Sequence, residues 1–282
     1  MSSQRSAVTE CAGAPVSLPD PHDIGGIVCD LDGVVYRGPQ AVPHAVAALT
    51  RVAVPVIYAT NNASRTPATV AGHLRDLGLD VTESQVLTSA QAGAAAIATR
   101  LPGCRVLAVG GDGVAAALEE AGLEPTRSIG SGVKAVMQGY GPQVCMADLG
   151  EAALAIQAGA WWVATNTDLT IPSERGILPG NGTLVAAVAH AVGRGPDRVC
   201  GKPEPDLYLV ASERLGMVPA RILGIGDRLD TDIEGANRAG SPSLLVLTGV
   251  NTAADAHAAP PRQRPSAIAA DLSALDTLVP TI

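Results

Sequence analysis

The stretch GGIVCDLDGV, residues 25–34, places two carboxylates directly after an apolar run. Residues 25–29 have the composition of a buried strand, and Asp30 and Asp32 follow it with one residue between them. If the strand continued, the alternation of side chains would direct both carboxylates to the same side. Adjacent like charges repel, so a cation, or a proton held by one of the two groups, must compensate. The alternative is a solvated turn of aspartate and glycine.

Around this stretch, apolar segments of strand length alternate with segments of helical periodicity. The predicted strands are Ile24–Cys29, Val54–Ala59, Val106–Val109, Val133–Met137, Trp161–Ala164, Ile222–Ile225 and Leu244–Leu247. The predicted helices are Ala41–Val52, Pro67–Leu77, Ala90–Arg100, Gly113–Ala121, Ala147–Ala158, Thr183–Val192, Pro205–Leu215, Thr231–Ala239 and Asp271–Leu278. This alternation predicts the α/β class, with right-handed βαβ units that form a doubly wound, Rossmann-like parallel sheet.

Two breaks rich in proline and glycine divide the chain. They are Leu101-Pro102-Gly103 and Gly193-Arg194-Gly195-Pro196, and such residues are typical of loops. Residues 103–196 contain their own αβ repeat, so we expect a second domain inserted into a core of residues 23–102 and 197–282. Residues 1–22 are polar and predict a flexible tail. A single large sheet with two loops is the alternative.

The composition argues against several classes of protein. The formal net charge of −8 does not favour a nucleic-acid partner, because phosphate backbones attract clustered lysine and arginine. No stretch approaches the roughly 18 apolar residues of a membrane helix, and residues 1–23 lack the apolar run of a signal peptide. The five cysteines include no CxxC pair, which indicates neither a disulfide framework nor a zinc site. We therefore expect a cytoplasmic location.

Two further polar motifs accompany the predicted strands. Thr60, Asn61 and Asn62 follow an apolar strand and precede a helix, where a hydroxyl, an amide and backbone N–H groups suit an anion. Ordinary helix capping and turn formation are the alternative. Lys202, one of only two lysines in the chain, lies in the segment GKPEP, where a compact positive charge would neutralise a phosphoryl group. A surface lysine in a proline-rich turn is the alternative.

A second acidic segment, GIGDRLDTD at residues 224–232, also follows a predicted strand. Asp227 offers the carboxylate oxygen that Mg²⁺ prefers, and Asp232, in the first turn of the next helix, is suited to orient a metal-bound water. The alternative is an acidic helix start stabilised by the helix dipole. All four motifs lie at or just after the carboxyl ends of predicted parallel strands, where open α/β sheets bind ligands.

Both the residues of these motifs and the order of the motifs along the chain resemble those of the haloacid dehalogenase (HAD) superfamily of phosphatases. The insertion between the Thr60 and Lys202 motifs is similar to that of members with a C2-type cap domain, the NagD-like and p-nitrophenylphosphatase-like subfamily. Within that subfamily the sequence most resembles glycerol-3-phosphate and phosphoglycolate phosphatases. The similarity extends from about Gly26 to at least Thr248.

The resemblance implies a mechanism and a set of site residues. Asp30 would attack phosphorus and form an aspartyl-phosphate, while Asp32 would protonate the leaving oxygen and later take a proton from water. The residues implied to bind the phosphoryl group are Thr60, Asn61, Asn62 and Lys202. The implied cofactor is Mg²⁺, held by the Asp30 carboxylate, the Asp32 backbone carbonyl and Asp227, with Asp232 beside it.

The inserted domain adds candidate substrate contacts. The segment TNTD, residues 165–168, resembles a segment of the family, and Asn166 and Asp168 are predicted to contact the substrate or, equally, to form a turn. No Phe, Trp or Tyr lies between residues 163 and 207, which argues against stacking on a pyridoxal or nucleobase ring. The resemblance also leads us to expect a homodimer formed through the cap.

We therefore expect a Mg²⁺-dependent phosphatase whose partner is a small phosphorylated metabolite. Glycerol 3-phosphate is the first choice of substrate and 2-phosphoglycolate the second, and pyridoxal phosphate or a nucleotide is a further alternative. A protein that senses a phosphorylated metabolite without hydrolysing it is the alternative from another class, and the full set of catalytic side chains argues against it. Neither a nucleic acid nor a membrane is expected as a partner.

Overall fold

The computed structural model describes residues 8–173 and 175–282. Residues 1–7 of the predicted tail lie outside the described range, and so does Glu174, which the sequence assigns to a solvated loop. The described residues form two compact units. The first consists of the residues up to Thr60, Ala71–Leu87 and Lys202–Ile282, and the second consists of Asn61–Val70 and Thr88–Gly201.

Strands and helices alternate along both units. The strands are β1 (Thr9–Glu10), β2 (Gly26–Cys29), β3 (Tyr36–Arg37), β4 (Gln40–Ala41), β5 (Val56–Thr60), β6 (Val86–Thr88), β7 (Arg105–Val109), β8 (Glu124–Thr126), β9 (Val133–Gln138), β10 (Trp161–Ala164), β11 (Thr170–Ser173), β12 (Gly176–Pro179), β13 (Arg198–Val199), β14 (Ile222–Gly226), β15 (Ser243–Val246) and β16 (Ala267–Ala269). The α-helices are α1 (Ala45–Arg51), α2 (Pro67–Asp76), α3 (Ser89–Arg100), α4 (Asp112–Glu120), α5 (Met146–Gln157), α6 (Asn181–Val192), α7 (Asp206–Leu215), α8 (Glu234–Ala239), α9 (Ala253–Ala258) and α10 (Leu275–Leu278).

A largely parallel sheet forms the centre of the first unit. Its strands, within the described part of the chain, follow the spatial order β1-β16-β15-β14-β2-β5-β6. Strand β14 runs parallel to β2 and β15, while β1 is antiparallel to its neighbour β16. Every residue of β2, β5, β14, β15 and β16 is buried. Burial on both faces explains why these strands are continuous apolar runs rather than alternating ones.

The register brings the ends of three central strands level with one another. Cys29, the last residue of β2, lies opposite Ile225 on one side and Tyr58 on the other. The backbone N–H of Asp30 then donates to the Ile225 carbonyl at 2.9 Å. Residues that follow these strands therefore leave the sheet at the same edge.

A glycine allows the helices α7 and α8 to approach this sheet closely. A Cβ atom at Gly224 would lie 2.8 Å from Cβ of Ala236 and 2.9 Å from the ring of Tyr208. Both distances are shorter than ordinary van der Waals contact, so a larger residue in the middle of β14 would push the two helices away.

The second unit has its own parallel sheet and hairpin. Within the described residues, its strands follow the order β13-β10-β9-β7-β8, and β11 pairs with β12 as an antiparallel hairpin. The core of this unit forms between the sheet and the helices α5 and α6. It includes Leu107, Val136, Ile156, Trp162 and Val185. None of the described helices of the protein is both long and apolar enough to cross a membrane.

The α/β class predicted from the sequence is confirmed. The strands that the prediction omits, such as β6, β13 and β16, contain two or three residues, too few to show a periodic pattern. The helix predicted from Ala41 begins at Ala45, because Gln40 and Ala41 pair with β3 as strand β4.

The compact units differ from the predicted segments at both ends of the insertion. The sequence assigns residues 88–102 to the core, but α3 begins in a capping box formed by Thr88 and Gln91 and packs against α4, β9 and β10 of the second unit. The break at residues 101–103 is only the turn between α3 and β7. Residues 61–70 and 197–201 likewise belong to the second unit.

The described part of the predicted tail is attached to the first unit. Thr9 and Glu10 pair with β16, and the N–H of Cys11 donates to the Ser266 carbonyl at 3.0 Å. Residues 8–22 are therefore not a free tail. A strand of two residues carries no sequence signal strong enough to reveal this pairing.

Candidate active site

Three carboxylates from two motifs meet at the edge of the first sheet. One carboxylate oxygen from each of Asp30, Asp227 and Asp232 lies within 4.8 Å of the others, and this arrangement can hold a metal ion. Asp227 and Asp232 are buried, whereas the side chain of Asp30 retains 12% of its exposure. The structure thus brings together residues separated by about two hundred positions in the sequence.

Lys202 lies inside this cluster. Its side chain is 3% exposed, and Nζ forms ion pairs with Oδ1 of Asp30 and, at 2.7 Å, with Oδ1 of Asp232. Nζ also donates to the Ala59 carbonyl at 3.4 Å, at the end of β5. The alternative interpretation of Lys202 as a surface residue is therefore wrong.

The cluster has more negative than positive charge. Burial raises the pKa of Asp30 well above its ordinary value, the Asp232 carboxylate raises it further, and Lys202 opposes both. Burial, followed by Asp232, raises the pKa of Asp227 to about 6. Burial favours neutral Lys202, but Asp232 and Asp30 outweigh it and raise the pKa of the ammonium group well above its usual range. Three buried carboxylate donors and one ammonium fit a divalent cation, which would stabilise the ionised acids.

A π-helical turn positions Asp232. This turn, Leu229–Ile233, precedes α8, and π turns often occur at functional sites. The N–H of Arg228 donates to Oδ2 of Asp232 at 3.1 Å, and the hydroxyl of Tyr208 donates to its carbonyl at 2.9 Å. Both bonds fix the aspartate on the side that faces Lys202.

Asp32 differs from the other acids. Strand β2 ends at Cys29, and residues 31–36 form a turn in which the N–H groups of Val35 and Tyr36 donate to the Leu31 carbonyl. Side-chain alternation along a strand therefore does not extend to Asp32, which is exposed and is not one of the three clustered carboxylates. The carboxyl group of Asp32 is therefore accessible to solvent.

Thr60 and Asn62 occupy different surroundings. Thr60 is the buried last residue of β5, which pairs with β2, the strand that Asp30 follows. Oδ1 of Asn62 accepts from the N–H and hydroxyl of Ser64, at 2.9 and 2.7 Å. The Asn62 side chain thus forms the local turn that was the alternative interpretation of this motif.

The second unit brings together Asn61, Asn166 and Asp168. Nδ2 of Asn61 donates to Oδ2 of Asp168 at 3.1 Å, and the Asn61 carbonyl accepts from Nδ2 of Asn166 at 2.7 Å and from the Ser89 hydroxyl at 2.6 Å. Oδ1 of Asn166 accepts from the Asp168 N–H at 3.1 Å, which is the turn that the sequence left as an alternative. Asn166 is therefore occupied with holding this loop.

The sequence prediction assigned no role to several residues that hold either the acids of the first unit or the loop around Asn166 in the second. In the first unit these are Gly33, Thr248, Gly249 and Val250, which adjoin Asp227 or the loop after β2. In the second unit Asn181, at the start of α6, donates to the carbonyls of Asn166 and Gln138 at 2.7 and 3.3 Å. The pair Thr248-Gly249 follows strand β15 and could have been found by the same rule as the other motifs, because it lies at the carboxyl edge of the parallel sheet.

Comparison with known proteins gives consistent similarities. Residues 27–124 match the family described as haloacid dehalogenase-like hydrolase, and residues 199–275 match a family described as HAD-hydrolase-like. The chain is 49% identical over 260 residues to D-glycerol 3-phosphate phosphatase of Mycobacterium tuberculosis. The aligned region covers 92% of this chain and 72% of the relative.

Solved structures show the same similarity. The magnesium complex of a glycerol phosphate phosphatase from Mycobacterium tuberculosis has a TM-score of 0.87 and 49% identity, over 90% of this chain and 77% of that one. A p-nitrophenyl phosphatase from Archaeoglobus fulgidus has a TM-score of 0.82 and 28% identity, over 91% of this chain and 98% of that one.

Proposed function

The chain belongs to the haloacid dehalogenase-like hydrolase family, and from this premise we propose that it is a Mg²⁺-dependent phosphatase of small aliphatic phosphate monoesters, with glycerol 3-phosphate as its substrate. The observation that carries the proposal is the buried cluster of Asp30, Asp227, Asp232 and Lys202. Catalysis of phosphoryl transfer depends mainly on positioning and charge neutralisation, and both require such a cluster.

In the first half of the proposed reaction, Asp30 acts as the nucleophile. Its carboxylate attacks phosphorus, the bond to the ester oxygen breaks, and Asp32 donates a proton to the leaving alcohol. Lys202 and Thr60 bind the phosphoryl oxygens, and we propose the backbone N–H groups of Asn61 and Asn62 as further donors to them. When bound, Mg²⁺ neutralises negative charge on the phosphoryl group and on the acids, with Asp30, the Asp32 carbonyl and Asp227 as its ligands and Asp232 beside it.

In the second half, Asp32 takes a proton from a water molecule. The water oxygen attacks phosphorus, the bond to Asp30 breaks, and inorganic phosphate leaves. The exposed position of Asp32 supports its assignment as the acid and base, because both a leaving alcohol and an attacking water can reach an exposed carboxyl group.

The choice of substrate has two supports. The relative with 49% identity is named a D-glycerol 3-phosphate phosphatase, and the segment between residues 163 and 207 offers no Phe, Trp or Tyr for stacking on a ring. We propose Asp168 as the substrate contact of the segment TNTD, with Asn166 holding the loop that carries it. The carboxylate of Asp168 favours hydroxyl groups over a second carboxylate, and this preference supports glycerol 3-phosphate over 2-phosphoglycolate.

A panel of phosphate esters tests this proposal. We expect kcat/KM in Mg²⁺ to be at least about tenfold higher for one enantiomer of glycerol 3-phosphate than for 2-phosphoglycolate, pyridoxal phosphate or adenosine monophosphate. Excess EDTA should abolish phosphate release, and added Mg²⁺ should restore it. Higher kcat/KM for a ring-bearing ester would overturn the substrate class. Ester binding without phosphate release from any ester would favour the metabolite sensor.

We also propose a homodimer formed through the second unit. On α5, Met146 and Leu154 are 80% and 54% exposed, and Gly150 lies between them on the same helical face. Apolar side chains at such spacing suit the self-complementary contact of a second copy of the chain.

Negative charges introduced on this face of α5 should dissociate the dimer into monomers. We expect light scattering to give a dimer mass for the wild type and a monomer mass for the double variant Met146→Glu and Leu154→Glu. Leu209→Glu, on an exposed position of α7 in the first unit, is the control and should remain dimeric. A wild type that stays monomeric at every concentration contradicts the proposal.

We further propose a cytoplasmic location. The five cysteines are all free, which suits a reducing compartment. Recovery of the protein from a non-cytoplasmic fraction would contradict this assignment.

A further inference from the structure

Two glycines enclose the carboxylate of Asp227. A Cβ atom on Gly33 would lie 2.6 Å from Oδ2 and 2.8 Å from Cγ of Asp227. An added methyl group on Gly249 would overlap the same carboxylate outright. The Asp227 side chain therefore lies in a slot between two segments of backbone, one after β2 and the other after β15.

Thr248 joins the two sides of this slot. Its hydroxyl donates to the Gly33 carbonyl at 2.7 Å, which links the loop after β15 to the loop after β2. The next residues contact the aspartate itself. The N–H of Val250 donates to Oδ2 of Asp227 at 2.8 Å, and the N–H of Asn251 donates to the Asp227 carbonyl at 3.2 Å.

We infer that Thr248 is a positioning residue for the metal site, because its bond to Gly33 fixes the slot that holds the Asp227 carboxylate. This inference rests on the proposed function, in which Asp227 binds the divalent cation. Removal of a group that orients a metal ligand without itself binding the metal lowers metal affinity or activity by about 10- to 100-fold.

The backbone conformation of Gly33 adds to the importance of the Thr248 hydrogen bond for the shape of the slot. Its φ angle is +86°, in the left-handed region that favours glycine, and its N–H donates to the Tyr36 carbonyl at 2.8 Å. The hydroxyl of Thr248 therefore restrains a glycine, the residue type with the widest backbone freedom, next to the carboxylate. Valine at position 248 would keep the shape of the side chain and remove only this restraint.

Binding of Mn²⁺, measured by calorimetry, tests the inference without relying on activity. We expect Thr248→Val to raise the Kd for Mn²⁺ about tenfold, and Thr248→Ser, which keeps the hydroxyl, to restore binding to within about twofold of the wild type. The matched control is Thr277→Val, because the Thr277 hydroxyl also donates to a backbone carbonyl, that of Ala274 at 2.9 Å, but in α10.

Gly249→Ala tests the slot by a second route. Since the added methyl group overlaps the carboxylate, we expect the Kd for Mn²⁺ to rise by about 100-fold or more. Gly130→Ala is the control, because a Cβ there meets nothing within 4 Å.

The outcomes separate this inference from the proposed function. Wild-type affinity in Thr248→Val overturns the inference, and so does wild-type affinity in Gly249→Ala if Thr248→Val fails to fold. Loss in Thr248→Val without recovery in Thr248→Ser also overturns it. A wild type that binds no Mn²⁺ and shows no Mg²⁺-dependent activity contradicts the proposed function itself.

Discussion

Replacement of Asp30 by asparagine is expected to lower kcat by roughly 10⁴-fold or more, because the amide cannot serve as the nucleophile that forms the aspartyl-phosphate. The fold should be retained. Lys202 keeps its ion pair with Asp232 at 2.7 Å, and an asparagine amide fits the space of the carboxylate. The measurement is steady-state phosphate release in Mg²⁺, with circular dichroism and melting temperature as checks on the fold.

A nearby aspartate provides the control for this variant. Asp230 lies between the other acids in sequence, but its carboxylate accepts from the Arg228 guanidinium in an exposed pair, at 3.1 and 2.9 Å. Such pairs contribute about 0.2–1 kcal/mol, so Asp230→Asn should keep kcat within about twofold of the wild type. Substantial residual turnover in Asp30→Asn, or an equal loss in Asp230→Asn, would refute the assignment of Asp30.

Replacement of Lys202 by methionine is expected to impair both activity and stability. The variant leaves the buried carboxylates of Asp30 and Asp232 without their ammonium partner, and unpairing a buried charge costs about 3–5 kcal/mol. For a chain of this size that corresponds to a drop of roughly 6–20 °C in melting temperature. Loss of a phosphoryl-binding charge should also lower kcat by roughly 10²–10³-fold.

Two comparisons make the Lys202 prediction specific. Lys134 is the other lysine of the chain and is exposed on β9, so Lys134→Met should change neither quantity appreciably. Mg²⁺ should raise the melting temperature of Lys202→Met more than that of the wild type, because the cation replaces part of the missing positive charge. Equal Mg²⁺ effects on the two proteins would show that Lys202 does not share a site with the metal.

Much of the fold could be predicted because its central strands are continuous apolar runs. Burial on both faces makes β2, β5, β14 and β15 unambiguous, and the connecting helices follow from their periodicity. The division into units was harder to predict. The turn at residues 101–103 resembles a linker, yet α3 before it packs in the second unit, and only contacts distant in sequence decide where a helix belongs.

In the site, too, features that depend on neighbouring residues could be predicted from the sequence, and features that depend on contacts between distant residues could not. The sequence identified Asp30, Asp227 and Asp232 because they follow β2 and β14, and the ends of parallel strands meet at one edge. The cluster that they form with Lys202 agrees with that expectation. The role of the slot around Asp227 could not be predicted, because it depends on the approach of two glycines that lie more than two hundred residues apart.

The central claim is that acids from the first and last motifs share one divalent cation. Anomalous scattering from crystals grown with Mn²⁺ tests it most directly. We expect one strong anomalous peak within about 2.0–2.3 Å of carboxylate oxygens from both Asp30 and Asp227. A peak that contacts only one of the two aspartates, or that lies away from both, would contradict the account.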